Sequence, residues 1–193
     1  TLKTGIEFGI QVHTTKAYEE TFGQYQFDFV IFSCHQVENY EYWRQEPQKG
    51  KTQLEYNRRY YQEILDVVKT YKDYSILGHL DVIKRYDLNG EIELEKIKDL
   101  IEQIFEVVIA DGKGIELNTS SHAYHLKSLM PSREILELYH DMGGKIITIG
   151  SDAHNADRVG DRVMESQKIL KEIGFNGIYT FDQMKPKFHE FKF

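Results

Sequence analysis

The sequence predicts an α/β fold built on a parallel sheet. Short apolar runs alternate with longer helical patterns, and the alternation is regular along the chain. The runs are rich in the β-branched and aromatic residues that favour a pleated surface. No glycine-rich phosphate loop follows any of them, which leaves a dinucleotide-binding site without support. Six runs read as strands: residues 5–11, 27–33, 75–78, 114–118, 145–150 and 177–181. The first sets Ile6, Phe8 and Ile10 on one side, and the second is the stretch FDFVIFS.

Helical patterns fill the gaps. Residues 51–71 carry Leu54, Ile64, Leu65 and Val68 at helical spacing, and Leu94, Ile97, Ile101, Ile104 and Val108 step by three and four along one apolar stripe. A helix over 132–142 begins after Pro131 and stops at Gly143–Gly144, and one over 159–173 stops at Gly174. A weaker pattern spans 14–26. Residues 38–50 form a polar loop of unusual length for a compact domain. Parallel strands joined by right-handed crossovers leave two architectures, an open sheet or a barrel of which the front is absent, because a closed barrel needs more than six strands.

Composition sets the outer limits. The 193 residues fit one domain, residues 1–193, and 40 % hydrophobic content supplies a core. Acids outnumber bases 31 to 24, a formal charge of −7, which argues against nucleic acid or an anionic membrane as partner, since phosphate surfaces demand basic ones. A single cysteine excludes an internal disulfide framework and a cysteine-rich zinc site. No apolar run approaches the roughly 20 residues of a membrane span. The start, Thr1-Leu2-Lys3-Thr4-Gly5, has neither a methionine nor the layout of a signal peptide, and a cytoplasmic setting is expected.

Polar groups suited to metal binding cluster at the strand ends. Glu7 lies within the first strand, His35 two residues after the second, and His79 just after the third in Gly78-His79-Leu80-Asp81. Asn118 closes the fourth, and Asp152 and His154 follow the fifth. In parallel α/β folds the carboxyl ends of strands converge on one face, so five segments direct carboxylate, imidazole or amide groups at one place. Glu7 between Ile6 and Phe8 would be a costly buried acid without a cation or donor beside it. A histidine-and-carboxylate set without thiolates suits zinc, manganese or iron used in hydrolysis. Other polar groups carry less: Cys34 reads as a small buried hydrophobe, His140 as a helix-end residue, and His122 and His125 as a rim. The tail bearing Phe188, Phe191 and Phe193 reads as a packing segment.

At these positions the chain resembles the polymerase-and-histidinol-phosphatase (PHP) superfamily, in its histidinol-phosphatase branch. The matching stretches are Gly5-Ile6-Glu7, Ser33-Cys34-His35, Gly78-His79-Leu80-Asp81, Ile115-Glu116-Leu117-Asn118-Thr119-Ser120 and Gly150-Ser151-Asp152-Ala153-His154, in the family's order. The resemblance implies a distorted TIM-like (β/α)7 barrel whose two or three divalent ions (Zn, Mn or Fe) hydrolyse a small-molecule phosphate ester, L-histidinol phosphate, to L-histidinol and phosphate. It casts Glu7 as a bridging carboxylate, His35 and His79 as imidazole ligands, and Asp152 and His154 as a last ligand pair that also helps proton transfer to the leaving alkoxide. Arg85 and Arg158 become candidate phosphate clamps, guanidinium being matched to phosphate geometry. The family opens with a His-x-His strand, and no His-x-His occurs here, so the first two βα units are expected to be absent and the chain to hold only part of the metal centre. Two other functions fit the same frame: a PHP-type phosphoesterase acting on nucleotide or sugar phosphates, and a non-catalytic PHP scaffold. The loops 38–50 and 119–130 are where substrate choice would be decided.

Overall fold

The computed structural model describes residues 2–193. In chain order it comprises β1 (Gly5–Gly9), α1 (Thr15–Phe22), β2 (Phe29–Ser33), β3 (Gln36–Val37), β4 (Tyr40–Glu41), α2 (Gln53–Thr70), β5 (Ile76–Leu77), α3 (Lys98–Ala110), β6 (Gly114–Asn118), α4 (Arg133–Asp141), β7 (Ile147–Gly150), α5 (Val163–Ile173), β8 (Gly177–Asp182) and β9 (Lys185–Glu190). Short 3₁₀ turns link several of them.

Five strands form one parallel sheet in the order β1-β2-β5-β6-β7. Each strand is added on the same side of its predecessor. Right-handed crossovers then put every connecting helix on one face, the arrangement of a barrel wall rather than of a doubly wound sheet. Register makes the two faces chemically different. Phe8, Phe32, Leu77, Ile115 and Ile147 align across all five strands and are buried beneath the helices. One step on, Gly9 pairs with Ser33 and Glu116 with Thr148, with Gly78 between them, so the opposite face is small and polar at this level. Full burial of an apolar side chain in such a row stabilises by about 1.5–3 kcal/mol.

The helices begin and end where local chemistry dictates. Thr52 caps α2 in a reciprocal box: its hydroxyl accepts from the Glu55 N–H, and the Glu55 carboxylate accepts from the Thr52 N–H at 2.7 Å. Ser132 caps α4 by accepting from the Ile135 N–H. The apolar stripe expected from Leu94 onward divides, a 3₁₀ turn over Leu94–Lys96 preceding α3. The last helix starts at Val163 rather than 159, because Gly160 and Arg162 adopt positive φ and break the path into it.

Two segments depart from the expectation. Residues 177–181 do not extend the parallel sheet: β8 pairs antiparallel with β9, so the tail is half of a hairpin that lies against β7 and seats Phe181 on Phe29, ring centroids 5.0 Å apart. The long polar loop is also partly structured, with β3 and β4 forming a small hairpin.

Candidate metal centre

Three side chains from three strand ends meet at one point. Glu7 stands on β1 facing the inner side of the sheet, His35 follows β2, and His79 follows β5. The Nε2 atoms of His35 and His79 are 3.2 Å apart, and each lies close to the same carboxylate oxygen of Glu7, at 3.2 and 3.1 Å. Donors about 2.0–2.1 Å from a tetrahedral zinc ion lie roughly 3.3 Å from one another, so this triangle has the dimensions of one face of such a coordination shell. Two imidazoles with one carboxylate is a donor set of catalytic zinc, which keeps an open position, rather than of structural zinc. Exposure agrees: the His79 side chain is buried, whereas those of Glu7 and His35 are 37 % and 48 % exposed, leaving one side of the triangle open.

The surroundings fix these groups. Ser33 Oγ donates to Glu7 Oε1 at 2.5 Å. Hydrogen bonds from His35 and His79 hold the Glu7 carboxyl well below the usual carboxylate range against the opposing effect of burial. Burial is the largest influence on His79 and lowers its pKa, but the hydrogen bond to Glu7 and the nearby charges of Glu116 and Asp152 outweigh it, so its pKa lies above the ordinary value. Close approach of the rings is permitted by Gly9, where an added Cβ would press on His35 Nδ1.

Behind His79 sits a carboxylate that the sequence reading did not single out. Glu116 is buried on the inner face, accepting from the His79 N–H and from Asn118 Nδ2, both at 3.0 Å. Burial pushes its pKa up. It occupies a notch made by glycines: a Cβ at Gly150 would collide with Glu116 Oε1, and one at Gly78 would meet Ile31 and Ser33. The signal was present, since Ile115-Glu116-Leu117 repeats the apolar-acid-apolar pattern of Ile6-Glu7-Phe8.

The other expected residues are not members of the triangle, although the Asp152 carboxylate is near enough to act on His79. Among the described residues, Glu7, His35 and His79 form the one group of three or more metal-type side chains. Asp152 has positive φ and a largely buried carboxylate, 3.8 Å from Arg85 Nη2. His154 is 77 % exposed, its Nδ1 facing the Asp152 backbone oxygen at 3.0 Å. Asn118 serves as a cap, accepting from Ser120 N–H, and not as a donor to the triangle. Arg85 is buried beside Asp152, donates to Ser120 Oγ at 2.8 Å and stacks over Tyr124, 3.6 Å from the ring centroid. Arg158 engages Asp161 instead, at 3.8 Å. Cys34 is buried and its thiol pushed up by burial, an inert core residue. No helix is long and apolar enough to cross a membrane among the described residues.

The chain is similar to several known proteins. A family model described as the PHP domain matches residues 1–120. The histidinol-phosphatase of Lactococcus lactis subsp. lactis is 29 % identical over 187 residues, covering 95 % of this chain and 69 % of that protein. A probable histidinol-phosphatase of Thermotoga maritima is 35 % identical over 118 residues, 61 % of this chain and 48 % of that protein. Among solved structures, the Lactococcus lactis histidinol phosphate phosphatase complexed with zinc, L-histidinol and phosphate superposes with a TM-score of 0.83 at 28 % identity, over 96 % of this chain and 71 % of that one.

Proposed function

The chain belongs to the PHP domain family, and on that premise we propose that it is a metal-dependent phosphomonoesterase, residues 1–193 acting as one domain, that converts L-histidinol phosphate to L-histidinol and phosphate. The observation that carries this reading is the triangle of Glu7, His35 and His79, whose edges of 3.1–3.2 Å suit a divalent cation with an open position. Zinc is the ion we assign to it; manganese and iron suit the same donors, and a second or third ion would draw on Asp152 and His154. When bound, such an ion acidifies water and neutralises charge on a phosphoryl oxygen.

The chain's own residues do the rest. Glu7 stays ionised and ties both imidazoles to one point. Ser33 holds that carboxylate in place, and Glu116 fixes the backbone from which His79 projects. Arg85, held between Ser120, Tyr124 and Asp152, would bind phosphate through its guanidinium, and Asp152 would take the proton given up by the attacking water and pass it to the leaving oxygen. Arg158 has the weaker claim as a clamp, being paired with Asp161.

The test is phosphate release by the zinc-loaded chain from L-histidinol phosphate, a nucleoside monophosphate and a sugar phosphate. The expected result is preference for L-histidinol phosphate, abolished by a chelator and restored by zinc. Preference for either other ester would move the substrate assignment to another phosphoesterase, and bound metal without release from any ester would make the domain a scaffold.

A further inference from the structure

Lys84 is the one buried lysine among the described residues, and it stands next to Arg85 on the 3₁₀ turn Val82–Arg85 that follows His79. A buried ammonium is retained where its donors are all met. Here three acceptors meet it: Asp81 Oδ2 at 2.8 Å, Ser128 Oγ at 2.7 Å and the Leu129 carbonyl. The first two are themselves held. Asp81 Oδ2 also accepts from the Ser132 N–H at 2.9 Å, and the Ser128 hydroxyl donates to Glu91 at 2.7 Å. A cavity of about 220 Å³, lined by Lys84, Ser128 and Ser132, runs along this stretch, so packing alone does not fix it. Arg85 reaches the other end of the same loop. Its Nη2 donates to Ser120 Oγ at 2.8 Å, its guanidinium stacks over Tyr124, and Met130 Sδ lies 3.9 Å away. The Asn118 N–H donates to the Met130 carbonyl at 2.7 Å and closes the loop between them into a ring.

We propose that Lys84 is a positioning residue for phosphate binding: it anchors the closing end of the loop 119–130, so that Ser120 and Tyr124 hold the Arg85 guanidinium in one orientation. The inference rests on the phosphatase reading and goes beyond it by naming what sets the geometry of the clamp. Lys84 and Arg85 are neighbours in sequence, so one short turn grips both ends of the loop, and slack at the Lys84 end shifts Tyr124 against Arg85. A guanidinium recognises phosphate through paired, directional hydrogen bonds, and a misplacement of about 1 Å is enough to forfeit most of that recognition. An ammonium has three donors, and those of Lys84 are all engaged by the fold, which separates its role from that of a second phosphate clamp. It forms no hydrogen bond to Glu7, His35 or His79, so its effect should bypass the metal triangle.

The test is steady-state kinetics of the zinc-loaded chain on L-histidinol phosphate, with inorganic phosphate as a competing ligand. Lys84→Met keeps the stem and removes the ammonium. It should raise KM for the ester and the inhibition constant of phosphate together, about tenfold, with a smaller effect on kcat and zinc affinity unchanged by calorimetry. In an Arg85→Ala background the same substitution should move neither constant further, because its effect passes through Arg85. Ser128→Ala leaves no buried charge unpaired and should shift both constants the same way by about twofold; it decides the matter should Lys84→Met fail to fold. Constants untouched in the folded variants, or an equal loss in the Arg85→Ala background, would overturn the positioning role and leave the phosphatase reading intact. Absence of ester hydrolysis by the unsubstituted chain would overturn that reading instead, and calorimetric phosphate affinity in the same variants would still decide the role of Lys84.

Discussion

The Glu7–His35–His79 triangle and the Asp152–His154 turn face similar chemistry but are built differently. The triangle comes from adjacent parallel strands, β1, β2 and β5, whose register sets three donors within 3.1–3.2 Å of one another. The turn stands beyond the end of β7 in irregular backbone, Asp152 at positive φ, with one side chain tucked against Arg85 and the other in solvent. Sheet hydrogen bonds preorganise the first, whereas irregular backbone and the contact of Asp152 with Arg85 shape the second. Cation affinity should therefore reside in the triangle, and the turn should act on what the cation does.

Replacing a triangle member is the most severe way to test this contrast. His79→Ala should weaken zinc binding by about 100-fold or more, beyond the effect typical of residues that only orient a ligand, and abolish phosphate release. Calorimetric zinc titration checks the first part. Asp152→Asn should separate the two regions: one equivalent of zinc stays bound while phosphatase activity falls by about 10²–10⁴, the range of a lost proton-transfer group. Loss of that zinc in Asp152→Asn would show that the turn belongs to the primary site after all.

The pH dependence sharpens the comparison further. The pKa of His79 is raised in the fold, so the metal-free chain gains stability that is complete below the unfolded value near 6.5 and is lost as pH rises through the higher folded value. Zinc needs the neutral ring, so its binding runs the other way, strengthening over the same interval. Melting curves of the metal-free chain from about pH 6 to pH 9 should fall by about 2–4 °C for each kcal/mol of linkage, as zinc titrations tighten. The smallest effect is expected at His154: His154→Ala should leave zinc content at the triangle unchanged and stability within about 0.5 kcal/mol, since the ring is mostly in solvent.

What was legible in the sequence follows the same division. The strand 114–118 was delimited as observed, and the convergence of Glu7, His35 and His79 was readable, because buried parallel strands write themselves as apolar runs and their ends must converge. The two hairpins were not legible. Their turns use positive φ at Glu38–Asn39 and at Gln183–Met184, and neither carries the Asn-Gly or Asp-Gly pair that marks such a turn in sequence. The partner of 177–181 was hidden for that reason. Asn118 misled for another: at a strand end an amide serves equally well as a ligand or as a cap, and only the position of Ser120 decides between them.

The glycine notch around Glu116 has a bearing on how this protein could change. With Gly78 and Gly150 closed to even a methyl group by their neighbours, the floor of the site has almost no room for variation. Chemistry laid on that floor is inherited as a block, and any drift toward a new ester would have to be written in the loops 38–50 and 119–130, outside the parallel strands.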